Sequence, residues 1–460
     1  MFAPCRHRHP PSQAGAALAY VVALLAIVGI LVGLTWRIIR ANDSIAATDR
    51  GDAQARLMAL SGADYALAKI GPPGPDQNLG YAAEALNYRL EDSECVFDLT
   101  VRTHGLFARA RSVGKSGLPR PGRSHTYSAL LGQLVDLGRL PALGLLNHEG
   151  NMVLAGNTQV TGPVMLWRGD VRKATDYNVR WTGSIGHSGA VWDSTAAAWG
   201  AARIDFRRAD AWIKGQEDLL ASRDFTKDTD FDSGMVKDLR LPDTAKVDTI
   251  LSDTRIYAAQ VLRIGSGARL TDCKLLSKRI IIEGDATLDR TLAYASRTLD
   301  VKVGQGGRID GGQFLAGDSL RIASDAPLKG YPIFYAQGRM ANRGKADSAM
   351  VGALMLEKAS GEGLFLSACH DHPPYDQEIR LSVAPATHVT GLLYTPCHAR
   401  MEGSLQGSLI CGNLKFEYKG TIWLGHLKDA HINALSGRKW IPAPLLFPGF
   451  PPAAFSGKGP

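Results

Sequence analysis

Residues 15 to 39 read GAALAYVVALLAIVGILVGLTWRII, apolar on every side of a helix, with no charge before Arg37. About 20 apolar residues at ~1.5 Å each cross a hydrocarbon core of about 30 Å, so the run predicts a transmembrane helix over 16–39. Arg6, His7, Arg8 and His9 precede it, and Trp36, Arg37 and Arg40 close it with interfacial side chains. Beyond the span the pattern changes but does not stop. Ala47, Gly51, Ala55, Met58, Gly62 and Tyr65 recur every three or four residues as one uncharged stripe, and no proline occurs from Ala41 to Ile70. Asp43, Asp49, Arg50, Asp52, Arg56 and Asp64 fall on the other side. After Arg56 that side turns apolar through Leu57, Leu60 and Leu67, as expected where a head domain packs. Gly71-Pro72-Pro73-Gly74-Pro75 ends the run. One helix is therefore predicted from about Ala14 to Ile70, with 40–70 its amphipathic continuation.

After the break the period shortens to two. Tyr88–Asp92 and Cys95–Arg102 alternate as strands, His104-Gly105 reads as a turn and Leu106–Val113 as the return. This predicts a small β-meander over 76–117, closed by the Gly117–Gly122 cluster and followed by a linker over 118–140. From Pro141 short apolar triplets alternate with Gly, Asn, Asp and Thr. Gly267-Ala-Arg-Leu270, Asp285-Ala-Thr-Leu288, Gly306-Gly-Arg-Ile309 and Asp325-Ala-Pro-Leu328 are equivalent units, their closing aliphatics 18, 21 and 19 residues apart. The unit resumes at Val389 and at Leu405. A period in this range predicts a stacked coil, in which each turn of chain buries one inward aliphatic only by lying on its neighbours.

The fold class is therefore mainly β: a long N-terminal helix, a small meander, then a right-handed parallel β-helix over 141–440. An antiparallel sandwich is the alternative; it is disfavoured because hairpin dipeptides are scarce, Gly306-Gly307 and Asp310-Gly311 excepted. Residues 195–222, with Trp212, Ile213, Leu219 and Leu220 at helical spacing, predict a helical insertion packed on the side of the coil. The Pro-rich tail, 441–460, is expected to lie across the last coil and cover its edge.

Gln13-Ala14-Gly15-Ala16-Ala17-Leu18, the apolar run, Arg50, Ala53-x-Ala55-Arg56 and Leu60-Ser61-Gly62-Ala63-x-Tyr65-Ala66-Leu67 carry a family resemblance. Over about the first 115 residues the chain resembles type IV pilin-like proteins, specifically the minor pilin and K-type minor pseudopilin group. The resemblance implies that residues 1–15 are a leader cut after Gly15 by a prepilin peptidase, leaving Ala16 as the new N-terminus. Most members carry Glu at the fifth mature position; here it is Tyr20, and the K-type members lack the Glu as well. Filament assembly would pack such helices through small residues, here Ala17 and the Gly29-x-x-x-Gly33 pair. A plain N-terminal anchor with a stalk helix remains the alternative. A cleaved secretory signal fits less well, because the apolar core is too long and its exit offers no small-x-small site.

Formal charge is +8 over 460 residues, and no Lys/Arg block points to nucleic acid. Arg102, Arg109, Arg111, Lys115, Arg120 and Arg123 read as a solvated hairpin face. Of six cysteines, Cys5 falls in the leader. Cys369-His370-Asp371-His372 and Cys397-His398 have ligand residue types at no zinc spacing, so no metal is expected, and buried thiols or a Cys369–Cys397 bridge are. Asp285, Asp289, Asp310 and Asp318 sit at corner positions, where Asp serves turns. No G-x-S-x-G, H-E-x-x-H or phosphate loop occurs, so neither an enzyme nor a cofactor is expected.

The sequence thus predicts a single-pass inner-membrane protein, its C-terminal part periplasmic or extracellular. Its expected role is as a non-enzymatic minor component of a type IV pilus or type II secretion-like filament, with pilin-like subunits and the peptidase as partners. The alternative is a membrane-tethered β-helix scaffold or glycan-binding adhesin, and a glycan-cleaving β-helix enzyme ranks last.

Overall fold

In the computed structural model the described residues are 13–70, 96–116, 123–149, 151–175, 180–183, 185–186, 191–192, 204–224, 237–338, 353–368, 379–419, 421–447, 450 and 452–456. Most of the leader, residues 76–95 of the meander and 195–203 of the insertion lie outside them. The chain is mainly β, with one long N-terminal apolar helix and a parallel sheet closed on itself. It forms two compact units: Met1–Gly62, Tyr88–Asp98 and Ser112–Tyr127 make one, and Ala63–Asn87, Leu99–Arg111 and Ser128–Pro460 the other.

The helix α1 (Gln13–Ile70) belongs to the first unit as far as Gly62, and there its uncharged stripe lies on strand backbone. Gly51, Ala55, Ala59 and Gly62 are buried. A Cβ on Gly114 would lie 2.1 Å from the Ala55 carbonyl oxygen and 2.4 Å from the Ala59 nitrogen, so helix and strand touch main chain to main chain. Small residues are required on both sides of that contact. Leu57 departs from expectation and stays 59% exposed, while Leu60 and Leu67 on the same side are half-buried.

A five-stranded sheet follows, ordered Val96–His104, Phe107–Lys115, Ser124–Asp136 and Trp440–Ala443, with Pro452–Ser456 also on the third strand. Two expectations change here. Residues 124–136, expected as linker, form a 13-residue strand. The tail pairs antiparallel with that strand, Leu134 opposite Pro442 and Leu130 opposite Phe455, and so completes the small sheet instead of crossing the last coil. Proline lacks an N–H and is tolerated at a sheet edge or a strand start, the places Pro442 and Pro452 occupy. Buried Gln133 fastens the tail, donating to the Phe447 and Phe450 carbonyls at 2.7 and 3.0 Å and accepting from the Phe447 N–H at 2.8 Å.

The large sheet is built of parallel tiers. Leu251 pairs with Leu270, Leu270 with Leu288, Leu288 with Ile309 and Ile309 with Leu328. Leu270, Leu288, Ile309 and Leu328 are all buried, as the repeat requires. Gly361, Val389, Leu405, Ile432, Val160 and Ile185 extend the ladder. A second inward ladder stacks Phe314, Phe334 and Phe365, with ring centroids 5.1 and 5.3 Å apart. Parallel pairing sets the sandwich aside. The antiparallel partner of Ser404–Tyr418 is the short strand Thr421–Leu424.

Tier order is not chain order. Ile432 pairs with Val160, and Leu409 with Leu143, which in turn pairs with Val164. The first tiers of the chain therefore stack beyond its last. The chain must then travel to the far end before the 237–252 tier begins, and helix α2 (Arg207–Ser222) lies on that path.

Its 16 residues span about 24 Å at ~1.5 Å each, the height of five inter-strand steps of about 4.8 Å. Five pairings separate Tyr335 from Arg240, through Leu315, Tyr294, Leu276 and Tyr257. Ala209, Trp212, Ile213, Gln216 and Leu219 form the buried face of α2. Phe206 lies 5.5 Å from Tyr335 and Trp212 packs edge-on at 5.5 Å from Tyr294. Gln216 accepts from the fully buried Lys274 ammonium at 2.7 Å.

Replacing Ile309 by Asp would bury an unpaired carboxylate in the middle of the aliphatic ladder. A loss on the order of 3–5 kcal/mol is expected, enough to abolish the cooperative thermal transition of the purified protein. A parental melting curve would contradict the ladder assignment.

Candidate functional site

Gly15, Ala16 and Ala17 lie in the first turns of α1, which is a candidate single membrane span by length and composition. From Tyr20 (78% exposed) to Ile39 its large apolar side chains are exposed. Nothing comes within 4 Å of a Cβ placed on Gly29 or Gly33. Together with Val28, Val32 and Trp36 these glycines leave a shallow groove along one side of the helix. Thr35 donates its hydroxyl to the Leu31 carbonyl at 2.8 Å, so the span carries no unsatisfied hydroxyl there. The Arg40 guanidinium lies 5.5 Å from the Trp36 ring, the arrangement of an interfacial anchor.

A second feature lies in the other unit, where one corner of the tiers meets the turn after Val96–His104. Asp253, Asp272, Arg290 and Gly311 adopt the left-handed conformation, with φ of 46, 51, 48 and 63°. Each is two residues past a ladder aliphatic: Leu251, Leu270, Leu288 or Ile309. Their N–H groups donate across tiers, to the carbonyls of Thr271, Asp289, Asp310 and Lys329. Asp and Gly tolerate this conformation; Arg290 is unusual there and is held by its side chain. Its Nε and Nη2 donate to the two Asp272 oxygens at 2.9 and 2.7 Å, and its Nη1 to Asp289 at 3.0 Å.

The Asp272 hydrogen bond, and the carboxylates around it, raise the Arg290 pKa further. Burial pushes the Asp289 carboxyl above its ordinary range; Asp272 and Asp310 add to the rise and Arg290 opposes it. Beside this corner is a cleft of about 280 Å³, walled by His104, Phe107 and Arg109 on one side and by Asp253, Asp272 and Tyr331 on the other. Gln313 fixes the wall: its Oε1 accepts from the Leu106 N–H at 2.7 Å and its Nε2 donates to the His104 carbonyl at 3.0 Å. Burial raises the Tyr331 phenol, whose ring carries the Lys439 ammonium at 5.2 Å.

The four aspartates singled out from sequence do not converge. Asp289 and Asp310 are neighbours across tiers. Asp285 packs under the Gly306 turn, and Asp318 lines a different groove, with Glu217 and Arg223. Among the described residues no three His, Cys, Asp or Glu side chains are grouped to hold a metal. Cys369, His370, Asp371 and His372 lie outside the described residues, while Cys397 is disulfide-bonded. Cys273 and Cys411 are free and buried, and burial pushes the Cys273 thiol up to about 11.

Sequence reasoning missed Asp253, Asp272 and Arg290. Aligning the repeats on their aliphatics, then reading two residues further, would have exposed the corner row.

The raised Asp289 pKa means the fold favours the protonated form. The stability this group adds is complete below the ordinary carboxylate range and is lost as pH rises through its folded-state value. At neutral pH its charge is therefore a net cost. Asp289→Asn should leave melting at pH 7 unchanged or higher and flatten part of the gain on acidification. Asp272→Asn removes one arm of a bidentate pair and should lower stability by about 1 kcal/mol. Thermal melts at pH 4 and pH 7 check both, and equal losses for the two variants at pH 7 would contradict the assignment. No family model, curated protein or solved structure matches this chain.

Proposed function

We propose that this protein is a non-enzymatic minor component of a type IV pilus or type II secretion-like filament. In this reading α1 anchors it in the inner membrane, and the tiers form a right-handed β-helix displayed on the far side. The observation that carries the reading is the division of labour along α1. One unbroken 58-residue helix leaves the large apolar side chains from Tyr20 to Ile39 exposed and seats the Gly51–Ala55–Gly62 stripe of its second half on strand backbone. A helix needed only to tether a domain gains nothing from continuing rigidly from the membrane into the head. One that must pack beside copies in a filament needs both halves fixed in one line.

The leader would be removed after Gly15, where the absence of a side chain lets a peptidase approach the main chain. Ala16 then heads the span, and the bare surfaces of Gly29 and Gly33 let neighbouring helices come close. Tyr20 stands where an acidic side chain would pair with a neighbouring N-terminal amine. That loss suits a subunit with none above it, at the tip or at initiation. The corner cleft favours a second reading, a membrane-tethered adhesin that binds glycan without a filament.

Leader processing separates the two. N-terminal sequencing of the membrane-extracted protein should return Ala16. Gly15→Leu should return Met1 with membrane insertion intact, since Leu favours the bilayer. Met1 from the wild-type protein would leave only the tethered reading.

A further inference from the structure

We propose that the cleft between the 104–109 turn and the tier corner binds one uncharged sugar residue of a glycan. The inference goes beyond the filament reading and does not depend on leader cleavage. Size is the first constraint. About 280 Å³ is just below the ~300–1,000 Å³ typical of ligand pockets, room for one ring and not for a chain.

Charge is the second. Arg290 lines the cleft, but three of its five N–H groups donate to Asp272 and Asp289, whose carboxylates offset its charge, so it offers little to an anion. Arg109 and Asp253 line the cleft too, and among the described residues neither side chain makes an ion pair. Their opposite charges cancel, so an entering ion of either sign meets a like charge as well as an unlike one. A hydroxyl both donates and accepts. Neighbouring hydroxyls on a ring therefore use a guanidinium and carboxylates together, which no simple ion does.

Surface character is the third constraint. Half-buried Leu130 gives the cleft a small apolar edge for the C–H face of a sugar ring, with buried Phe107, Leu292 and Ile333 beneath it. The walls are also set before any ligand arrives. Gln313 is 5% exposed and grips both ends of the turn, while Gly105, at φ 61°, has the Gln313 amide where a side chain would stand. A preformed wall loses little freedom on binding, so a small ring can bind with few contacts.

The test uses the full chain in lipid nanodiscs, which avoids detergents with sugar headgroups. Saturation-transfer NMR is recorded with methyl glucoside, methyl galactoside, methyl mannoside and N-acetylglucosamine, and with methyl phosphate and ethanolamine as charged probes. At least one sugar should give a saturable signal while neither charged probe does. Asp253→Asn and Arg109→Gln should each weaken that signal about tenfold with the melting temperature unchanged, and a tenfold loss corresponds to about 1.4 kcal/mol. Gln313→Ala, which frees the turn, should weaken it as well. Saturation by no sugar, saturation by a charged probe alone, or sugar binding indifferent to both Asp253→Asn and Arg109→Gln overturns the proposal. None of these outcomes bears on the residue found at the N-terminus.

Discussion

A parallel strand left without a neighbour is the constraint on which this architecture rests. Each tier contributes inward aliphatics that no single tier can bury, and each leaves a row of N–H and C=O groups that needs the next tier. The chain meets this demand in an order its sequence does not follow. The tier at 404–433 is covered by the first tiers of the chain through Ile432–Val160 and Leu409–Leu143, and the tail is thereby left for the small sheet. At the other end, the 237–252 tier carries Lys237, Asp238, Arg240, Lys246 and Asp248 along with Pro242, the composition that discourages pairing with a foreign strand.

Stacking beyond the last tier has a structural cost, because the chain must return along the whole pile. Helix α2 covers five steps of that return, over a ladder that alternates Tyr257, Leu276, Tyr294, Leu315 and Tyr335. That sheet is buried on both faces, Phe314 and Phe334 pointing inward while Tyr294 and Tyr335 meet α2. The buried Lys274 ammonium is accommodated because Gln216 accepts from it and the Trp212 ring lies 5.8 Å away. The return path thus also shields a sheet face that would otherwise be an apolar patch in water.

The ladder of Leu270, Leu288, Ile309 and Leu328 was legible because each tier needs one aliphatic at one place, which keeps the period narrow. The stripe on α1 was legible for the same reason, a fixed period of three and four. Tier order was not legible, since Val160 and Leu328 carry the same local signal and nothing local says which tier each will meet. Residues 124–136 were misread because their strand is completed by partners more than 300 residues away, Ile441 and Phe455 among them. The corner cleft was hidden for a related reason. Asp253, Asp272 and Arg290 look like turn residues one at a time and form a wall only when His104 and Arg109 are brought beside them.

Where this protein resides in the cell is the sharpest question, because the proposed filament membership and a simple tether place it differently. Immunogold labelling of sheared surface filaments, with antibody raised against residues 237–338, addresses it directly. The account predicts label at filament ends and little along their shafts, in keeping with Tyr20 at the fifth position after Gly15. Label confined to the cell membrane, with filaments of normal number and length carrying none, would contradict it.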